Sequence, residues 1–261
     1  MFIDVNNLSI QYGDRLTVKD VSFTVNDGET LTIVGESGSG KTSIIRALIG
    51  CLPGNGRVSS GQIQFDGEAL DLANPHQTEN LAKISMIFQD SGNMLNPIRT
   101  LGSQFVDYLC LHNPTMSKKE AWNTACNLLE RVHLHDGQTL LNSYVFELSG
   151  GMRQRVGIAM SLALKPSVLL ADEPTSALDV TTQAQILKEF AALRKANQMS
   201  MILVTHNLGV ASYMSHKILI LRNGQVVEYG SRDEVLYHPK HEYTKELLAT
   251  VPTIGGEVYY E

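Results

Sequence analysis

The sequence predicts an α/β fold with two additions, an antiparallel β-subdomain at the N-terminus and an inserted α-helical subdomain. Three patterns indicate this. The N-terminal third contains segments in which apolar and polar residues alternate, residues from about 95 to 165 show helical spacing, and strand and helix patterns alternate from about 167 onward. The last pattern is typical of a mostly parallel sheet covered by helices.

The N-terminal segments have the pattern of half-buried strands. Apolar and polar residues alternate over 2–5 and 18–25, and Asn-Asp-Gly-Glu at 26–29 predicts a hairpin-like turn. Thr30–Val34 is apolar and β-branched and continues directly into a glycine-rich loop, after which 41–50 is predicted to be a helix. A strand, a glycine-rich loop and a helix therefore follow one another.

The block from about 95 to 165 is predicted to be helical. Ser117 and Glu120 have the spacing of a capping box. Apolar residues follow at helical spacing: Ala121, Ala125, Leu128, Leu129 and Val132. Because this block interrupts alternating strands and helices, we interpret it as an inserted subdomain.

Strand and helix patterns account for the rest of the chain. Asn223-Gly224 between two short apolar runs predicts a tight hairpin. The expected strands are 84–88, 167–172, 201–205, 217–221 and 225–229, and the expected helices are 181–196, 208–212 and two short ones after 231, with 255–261 frayed.

Composition excludes several classes of function. The formal charge of −6 and pI of about 5.8 argue against nucleic acid as the main partner. The three cysteines are widely spaced, so we expect reduced thiols and no metal or iron–sulfur cluster. No apolar run approaches the length of a membrane helix and the start lacks signal-peptide features, so we expect a cytosolic chain that touches a membrane only through partners.

Residues 35–42 fit the phosphate-loop pattern G-x-x-x-x-G-K-[ST]. Glycines allow backbone N–H groups to approach phosphates closely, and the following helix directs its positive end at the same anion. Lys41 should reach the β- and γ-phosphates and Thr42 should ligate Mg²⁺. The sequence thus predicts a P-loop NTPase core, with ATP contacted by Gly35, Glu36, Ser37, Gly38, Ser39, Gly40, Lys41, Thr42 and Ser43.

A pair of carboxylates follows a second buried strand pattern. Val168–Asp172 is apolar until its last residue, and Glu173 comes next. Ligands of open α/β sheets sit at the carboxyl ends of strands. Asp172 is therefore the candidate for holding Mg²⁺, and Glu173 the candidate general base that polarises the attacking water.

The stretch 148–155, Leu-Ser-Gly-Gly-Met-Arg-Gln-Arg, resembles the L-S-G-G-Q signature of the ABC transporter superfamily, with Met152 in the fifth position. Two glycines that open a helix make a second anion cradle, with Ser149 as hydroxyl donor. The resemblance implies a head-to-tail dimer, in which Ser149, Gly150 and Gly151 of one subunit cover ATP held by the phosphate loop of the other.

Further positions match the same family one by one. The resemblance implies that Tyr12 stacks on adenine, that Gln89 approaches Mg²⁺ and the attacking water, that Asp179 signals across the dimer, and that His206 positions the γ-phosphate. We expect an ABC nucleotide-binding domain over residues 1–235, with its helical subdomain at about 95–165, and a short C-terminal extension over 236–261.

Within the superfamily the chain most resembles the peptide and nickel importer ATPases. The resemblance rests on the loop 35–41, on Met-Leu-Asn-Pro at 94–97, on 148–155 and on the H-P…Y-T…L-L tail at 238–248. It implies a second ATPase subunit, identical or different, two transmembrane permeases and an extracytoplasmic solute-binding protein, with the chain peripheral at the cytoplasmic face. A soluble ABC ATPase without transport, for example of the iron–sulfur assembly type, is the alternative, and the tail argues against it.

Overall fold

A computed structural model describes residues 1–71, 79–89 and 94–249. Its strands form two sheets. In chain order they are β1 (Ile3–Tyr12), β2 (Arg15–Val25), β3 (Thr30–Val34), β4 (Gly56–Phe65), β5 (Glu68–Ala69), β6 (Ile84–Ile87), β7 (Val168–Asp172), β8 (Ser200–Thr205), β9 (Lys217–Arg222) and β10 (Gln225–Ser231).

The chain also contains helices, several of them between β6 and β7. Those of the described residues are α1 (Lys41–Ala47), α2 (Leu101–His112), α3 (Lys118–Arg131), α4 (Gly137–Asn142), α5 (Gly150–Leu162), α6 (Val180–Asn197), α7 (Leu208–Met214), α8 (Arg232–Tyr237) and α9 (Glu242–Ala249). Within the described ranges, no helix is long and apolar enough to span a bilayer.

The larger sheet has the strand order β10-β9-β3-β8-β7-β6 and forms the core of the molecule. Its strands pair in parallel except for β10, which joins β9 as a hairpin. Strands β3, β7 and β8 are buried along their whole length because helices and the second sheet cover both faces, which explains their continuous apolar sequences. The carboxyl ends of β3, β8, β7 and β6 therefore lie side by side.

The smaller sheet is antiparallel with the order β2-β1-β4-β5, and helices α2 to α5 occupy the interval between β6 and β7. The predicted α/β fold with its N-terminal antiparallel sheet and inserted helices is confirmed. Ser117 and Glu120 form the expected capping box at the start of α3. The five apolar residues predicted to share one helical face are all buried.

Two features of the N-terminal third differ from the expectations. The turn at 26–29 exists, with Glu29 N–H donating to Asn26 O at 3.0 Å, but it joins β2 of one sheet to β3 of the other and closes no hairpin. Strand β4 gave no clear signal, because its middle is polar and contains Gly61, and only Ile63 and Phe65 are fully buried.

Local signals placed the later elements within a few residues. Asn223 and Gly224 both have positive φ, 51° and 79°, which a two-residue hairpin of this type requires. The two short helices expected after 231 are α8 and α9, and they pack on β3 and β9 through a cluster that includes Val34, Ile218 and Tyr243. The predicted fraying of 255–261 lies outside the described residues.

Candidate functional site

The phosphate loop connects the end of β3 to α1, as the sequence predicts. Gly38 and Gly40 have φ of 79° and 106°, which side-chain-bearing residues rarely adopt. A Cβ at Gly40 would lie 2.8 Å from Val18 Cγ2, and one at Gly35 would collide with the Leu221 carbonyl oxygen. The glycines therefore allow both the turn itself and the close packing of the loop against β2 and β9.

Lys41 is folded into this loop and is 6% exposed. Its Nζ donates to the carbonyl oxygens of Gly35 and Glu36 at 2.8 and 2.7 Å. Burial lowers the pKa of the ammonium, while Glu173, Asp172 and Glu36 raise it. A phosphate oxygen is a stronger, charged acceptor for the same group, so the geometry suits a lysine that receives an anion.

A cavity of about 200 Å³ opens beside the loop. Because β3, β7 and β6 are parallel, the residues that follow them converge on it. Its lining consists of Thr17, Ser37, Gly38, Gly40, Lys41, Thr42, Ser43, Gln89 and Glu173. Thr17, contributed by β2, is the lining residue that no sequence pattern indicated.

Asp172 ends β7 and is almost fully buried. Burial raises the pKa of its carboxyl, and the hydrogen bond that Thr42 Oγ1 donates to Oδ1 at 3.1 Å lowers it. A carboxylate and a hydroxyl side by side at the phosphate loop are hard oxygen donors. They fit Mg²⁺, which binds through one or two protein oxygens together with phosphates and water.

Glu173 has a left-handed backbone with φ of 46°, and its N–H donates to Val204 O at 2.9 Å. The carboxylate meets His206 Nδ1 at 3.1 Å and Gln89 Nε2 at 3.5 Å. Gln89 and His206, which follow two other strands, therefore both contact the carboxylate of Glu173.

Gln154 on α5 was not singled out from the sequence, although it lies within the signature stretch. It is buried, and its Nε2 donates to the carbonyl oxygens of Glu173 and Pro174 at 3.3 and 2.5 Å. Its Oε1 accepts from Ala177 N–H at 3.2 Å. The side-chain amide of Gln154 thus links the backbone at Glu173, the candidate base, to α5, the helix that begins with the signature residues.

We expect Gln154→Leu to lower stability by about 1–3 kcal/mol, because the buried carbonyl oxygen of Pro174 loses the donor that Gln154 supplies and Ala177 N–H loses its acceptor. ATP turnover should also fall, since the backbone of Glu173 loses its support. Thermal unfolding and steady-state ATP hydrolysis measure the two effects. Gln138→Leu is the matched control, because Gln138 is exposed and bonds Trp122 instead; unchanged turnover in both variants would contradict this role of Gln154.

The signature residues form a separate feature outside this cavity. Ser149 caps α5, with Oγ accepting from Met152 N–H at 3.3 Å, and its hydroxyl proton remains for another acceptor. Gly150 is exposed, and a Cβ at Gly151 would lie 3.4 Å from Leu178. The Met152 side chain packs against the helical core, so it does not enter the Gly-Gly cradle.

Asp179 and Tyr12 occupy two further predicted positions. Asp179 caps α6, and hydrogen bonds from Thr182 lower the pKa of its carboxyl. The Tyr12 ring lies against Gly56, and its hydroxyl is 3.2 Å from Ser43 Oγ. Asp179 adjoins the signature glycines through Leu178, whereas Tyr12 lies near the loop without lining the cavity.

A family model described as ABC transporter matches residues 18–176. The dipeptide transport ATP-binding protein DppD of Lactococcus lactis subsp. cremoris is 40% identical over 262 residues, which cover 98% of this chain and 75% of that protein. The oligopeptide transport ATP-binding protein OppD of Salmonella typhimurium is 42% identical over 263 residues, which cover 98% and 78%.

Solved structures of similar shape include the ATP-binding cassette MJ0796, described as dimeric, in a post-hydrolysis state and bound to ADP and Pi. It has a TM-score of 0.76 and 28% identity, covering 88% of this chain and 98% of that one. The structure of cbiO1 from Clostridium perfringens, described as part of the ABC transporter complex cbiONQ, has a TM-score of 0.73 and 26% identity, covering 96% and 95%.

Proposed function

Because the chain belongs to the ABC transporter family, we propose that it is the ATP-hydrolysing, energy-coupling subunit of a peptide importer. It is an ABC ATPase of the importer type, and the alternative of a soluble ABC ATPase without transport is not supported. One observation supports the proposed site most: the Glu173 carboxylate lines the loop cavity and is contacted by both Gln89 and His206.

The phosphate loop holds ATP. Backbone N–H groups of the loop and the N-terminus of α1 face the phosphates, and Lys41 exchanges the carbonyl oxygens of Gly35 and Glu36 for phosphate oxygens. Thr42, Asp172 and Gln89 are the residues that would hold Mg²⁺. When bound, Mg²⁺ supplies positive charge that offsets the charge of the phosphates.

Glu173 orients the attacking water and accepts its proton. Its carboxylate is the less exposed partner of the pair, 17% against 66% for His206, so it is the group more strongly held in place. His206 contacts Glu173 through Nδ1 and leaves Nε2 directed elsewhere, which suits a residue that positions the γ-phosphate. The geometry and the chemistry of a general base support this division of roles.

The two anion cradles belong to two different ATP molecules. Within one chain, the phosphate loop lines the cavity while Ser149, Gly150 and Gly151 stand outside it, and Gly150 is exposed. A head-to-tail pair of ATPase subunits places the signature of one over the loop of the other. Tyr12 would stack on adenine and Asp179 would sit at the subunit boundary.

The closing pair drives two transmembrane permease subunits, which dock on the helical subdomain at about 95–165 and on the segment of Gln89. The chain is then peripheral at the cytoplasmic face of the membrane. An extracytoplasmic solute-binding protein delivers the cargo. The domain spans 1–235, and the extension 236–261 begins within α8 (Arg232–Tyr237), so its first turns pack on the catalytic core.

Peptide is favoured as cargo because the relatives named above are dipeptide and oligopeptide transport proteins; nickel or a metal–metallophore complex is the other candidate.

We expect ATP hydrolysis by the importer, reconstituted in vesicles with its permeases and binding protein, to rise several-fold with short peptides. Nickel salts and a nickel–chelator complex serve as controls. Stimulation by nickel alone would replace the peptide assignment, and failure of any permease to associate would contradict the importer function.

A further inference from the structure

The C-terminal helix α9 reaches back to the phosphate loop. Tyr243 on its first turn is 2% exposed, and its hydroxyl accepts a hydrogen bond from Glu36 N–H at 3.3 Å. Glu36 is the second residue of the loop motif. The contact therefore joins a segment beyond the last sheet strand to the first turn of the nucleotide site.

The Tyr243 ring is fixed from the side of β9. The guanidinium carbon of Arg222 lies 4.4 Å from the ring centroid, a cation–π distance. Arg222 follows Leu221, whose carbonyl oxygen leaves no room for a Cβ at Gly35. The end of β9 therefore packs against Gly35, and Tyr243 contacts Glu36, the next residue of the loop.

The start of α9 is also held in place. The carboxylate of Glu228 on β10 accepts from the N–H groups of Lys240 and His241 at 2.8 and 3.1 Å. His241 Nδ1 in turn accepts from Tyr243 N–H at 3.1 Å. The backbone at the start of α9 is therefore hydrogen-bonded to the larger sheet, and this holds the Tyr243 hydroxyl in a defined position.

The backbone N–H and the backbone carbonyl of Glu36 are therefore both hydrogen-bonded. Its N–H donates outward to Tyr243, and its carbonyl accepts inward from Lys41 Nζ at 2.7 Å. We propose that Tyr243 is a positioning residue that acts through Glu36 to hold the first turn of the phosphate loop, so that α9 sets the affinity of the site for nucleotide. This inference rests on the proposed ATP site.

The test is Tyr243→Phe, which keeps the buried ring and removes the hydroxyl that contacts Glu36. We expect the Kd for ATP and for ADP to rise about three- to tenfold, about the worth of one hydrogen bond. The KM should rise by a similar factor with kcat within about twofold of the wild type, and the Glu36 amide should exchange its hydrogen faster. Arg222→Met should act in the same direction and more weakly.

Tyr229→Phe is the matched control. The Tyr229 hydroxyl bridges the backbone of Thr24 between the two sheets and touches no residue of the loop, so its loss should leave the Kd unchanged. A Kd for Tyr243→Phe within twofold of the wild type, or an equal loss in Tyr229→Phe, would overturn the inference. If the wild-type chain itself binds no ATP, the proposed function fails instead.

Discussion

Replacement of Glu173 by Gln is expected to lower ATP turnover by about 10²–10⁴-fold, the usual contribution of a general base. The amide is nearly isosteric, so it keeps the shape of the site and the contact with His206, but it cannot accept a proton from water. ATP binding should stay within about threefold of the wild type, because the proposed site holds the phosphates through the loop and Lys41. Steady-state hydrolysis and equilibrium binding on one preparation measure both quantities.

The same variant should accumulate in the ATP-bound, closed state, since hydrolysis, the step proposed to reopen the pair, is blocked. Gln183→Glu is a suitable control, because Gln183 on α6 bonds Thr175 and does not line the loop cavity. Near-normal hydrolysis by Glu173→Gln would show that Glu173 is not the general base, and His206 or Asp172 would then be the candidate for that role.

Replacement of Lys41 by Ala is expected to raise the Kd for ATP about 100-fold or more. When ATP binds, the ammonium exchanges its two hydrogen bonds to loop carbonyls for bonds to charged phosphate oxygens, and each hydrogen bond between charged groups contributes about 1.5–3 kcal/mol. The variant lacks the bonds to phosphate and the positive charge that faces it. Nucleotide binding by calorimetry is the direct measurement, and hydrolysis should fall with it.

Lys245→Ala controls for the loss of one positive charge, because Lys245 is exposed on α9 and pairs with Glu242. Its Kd for ATP should match that of the wild type. If Lys41→Ala binds ATP as tightly as this control, the loop 35–42 does not hold the nucleotide and the proposed site is wrong.

The features that the sequence predicted well are local ones. Thr30–Val34 was placed without error because a fully buried strand is apolar at every position and the glycine loop marks its end. The capping box at Ser117 and the Asn223-Gly224 hairpin are likewise set by residues within a few positions of each other. The family resemblance implied that Gln89 approaches the attacking water and that His206 positions the γ-phosphate, and the place of both residues after parallel strands explains why they meet Glu173.

The features that the sequence could not reveal depend on distant contacts. Whether the turn at 26–29 joins strands of one sheet or of two is decided by the partners of β2 and β3, not by the turn itself. Strand β4 is held by its pairing with β1, although its own residues are largely polar. Gln154 and Tyr243 bond backbone groups far away in the chain, and no spacing rule links such positions.

In the proposed mechanism two ATPase subunits share ATP, which is held by the loop of one subunit and covered by the signature of the other. Light scattering of Glu173→Gln with and without ATP and Mg²⁺ tests it most directly. We expect a single 28.7-kDa chain without nucleotide and a pair of ATPase chains with it. Adding Gly150→Asp should abolish the pair while ATP binding persists. A single chain at saturating ATP, both alone and with the importer's other ATPase subunit, would contradict it.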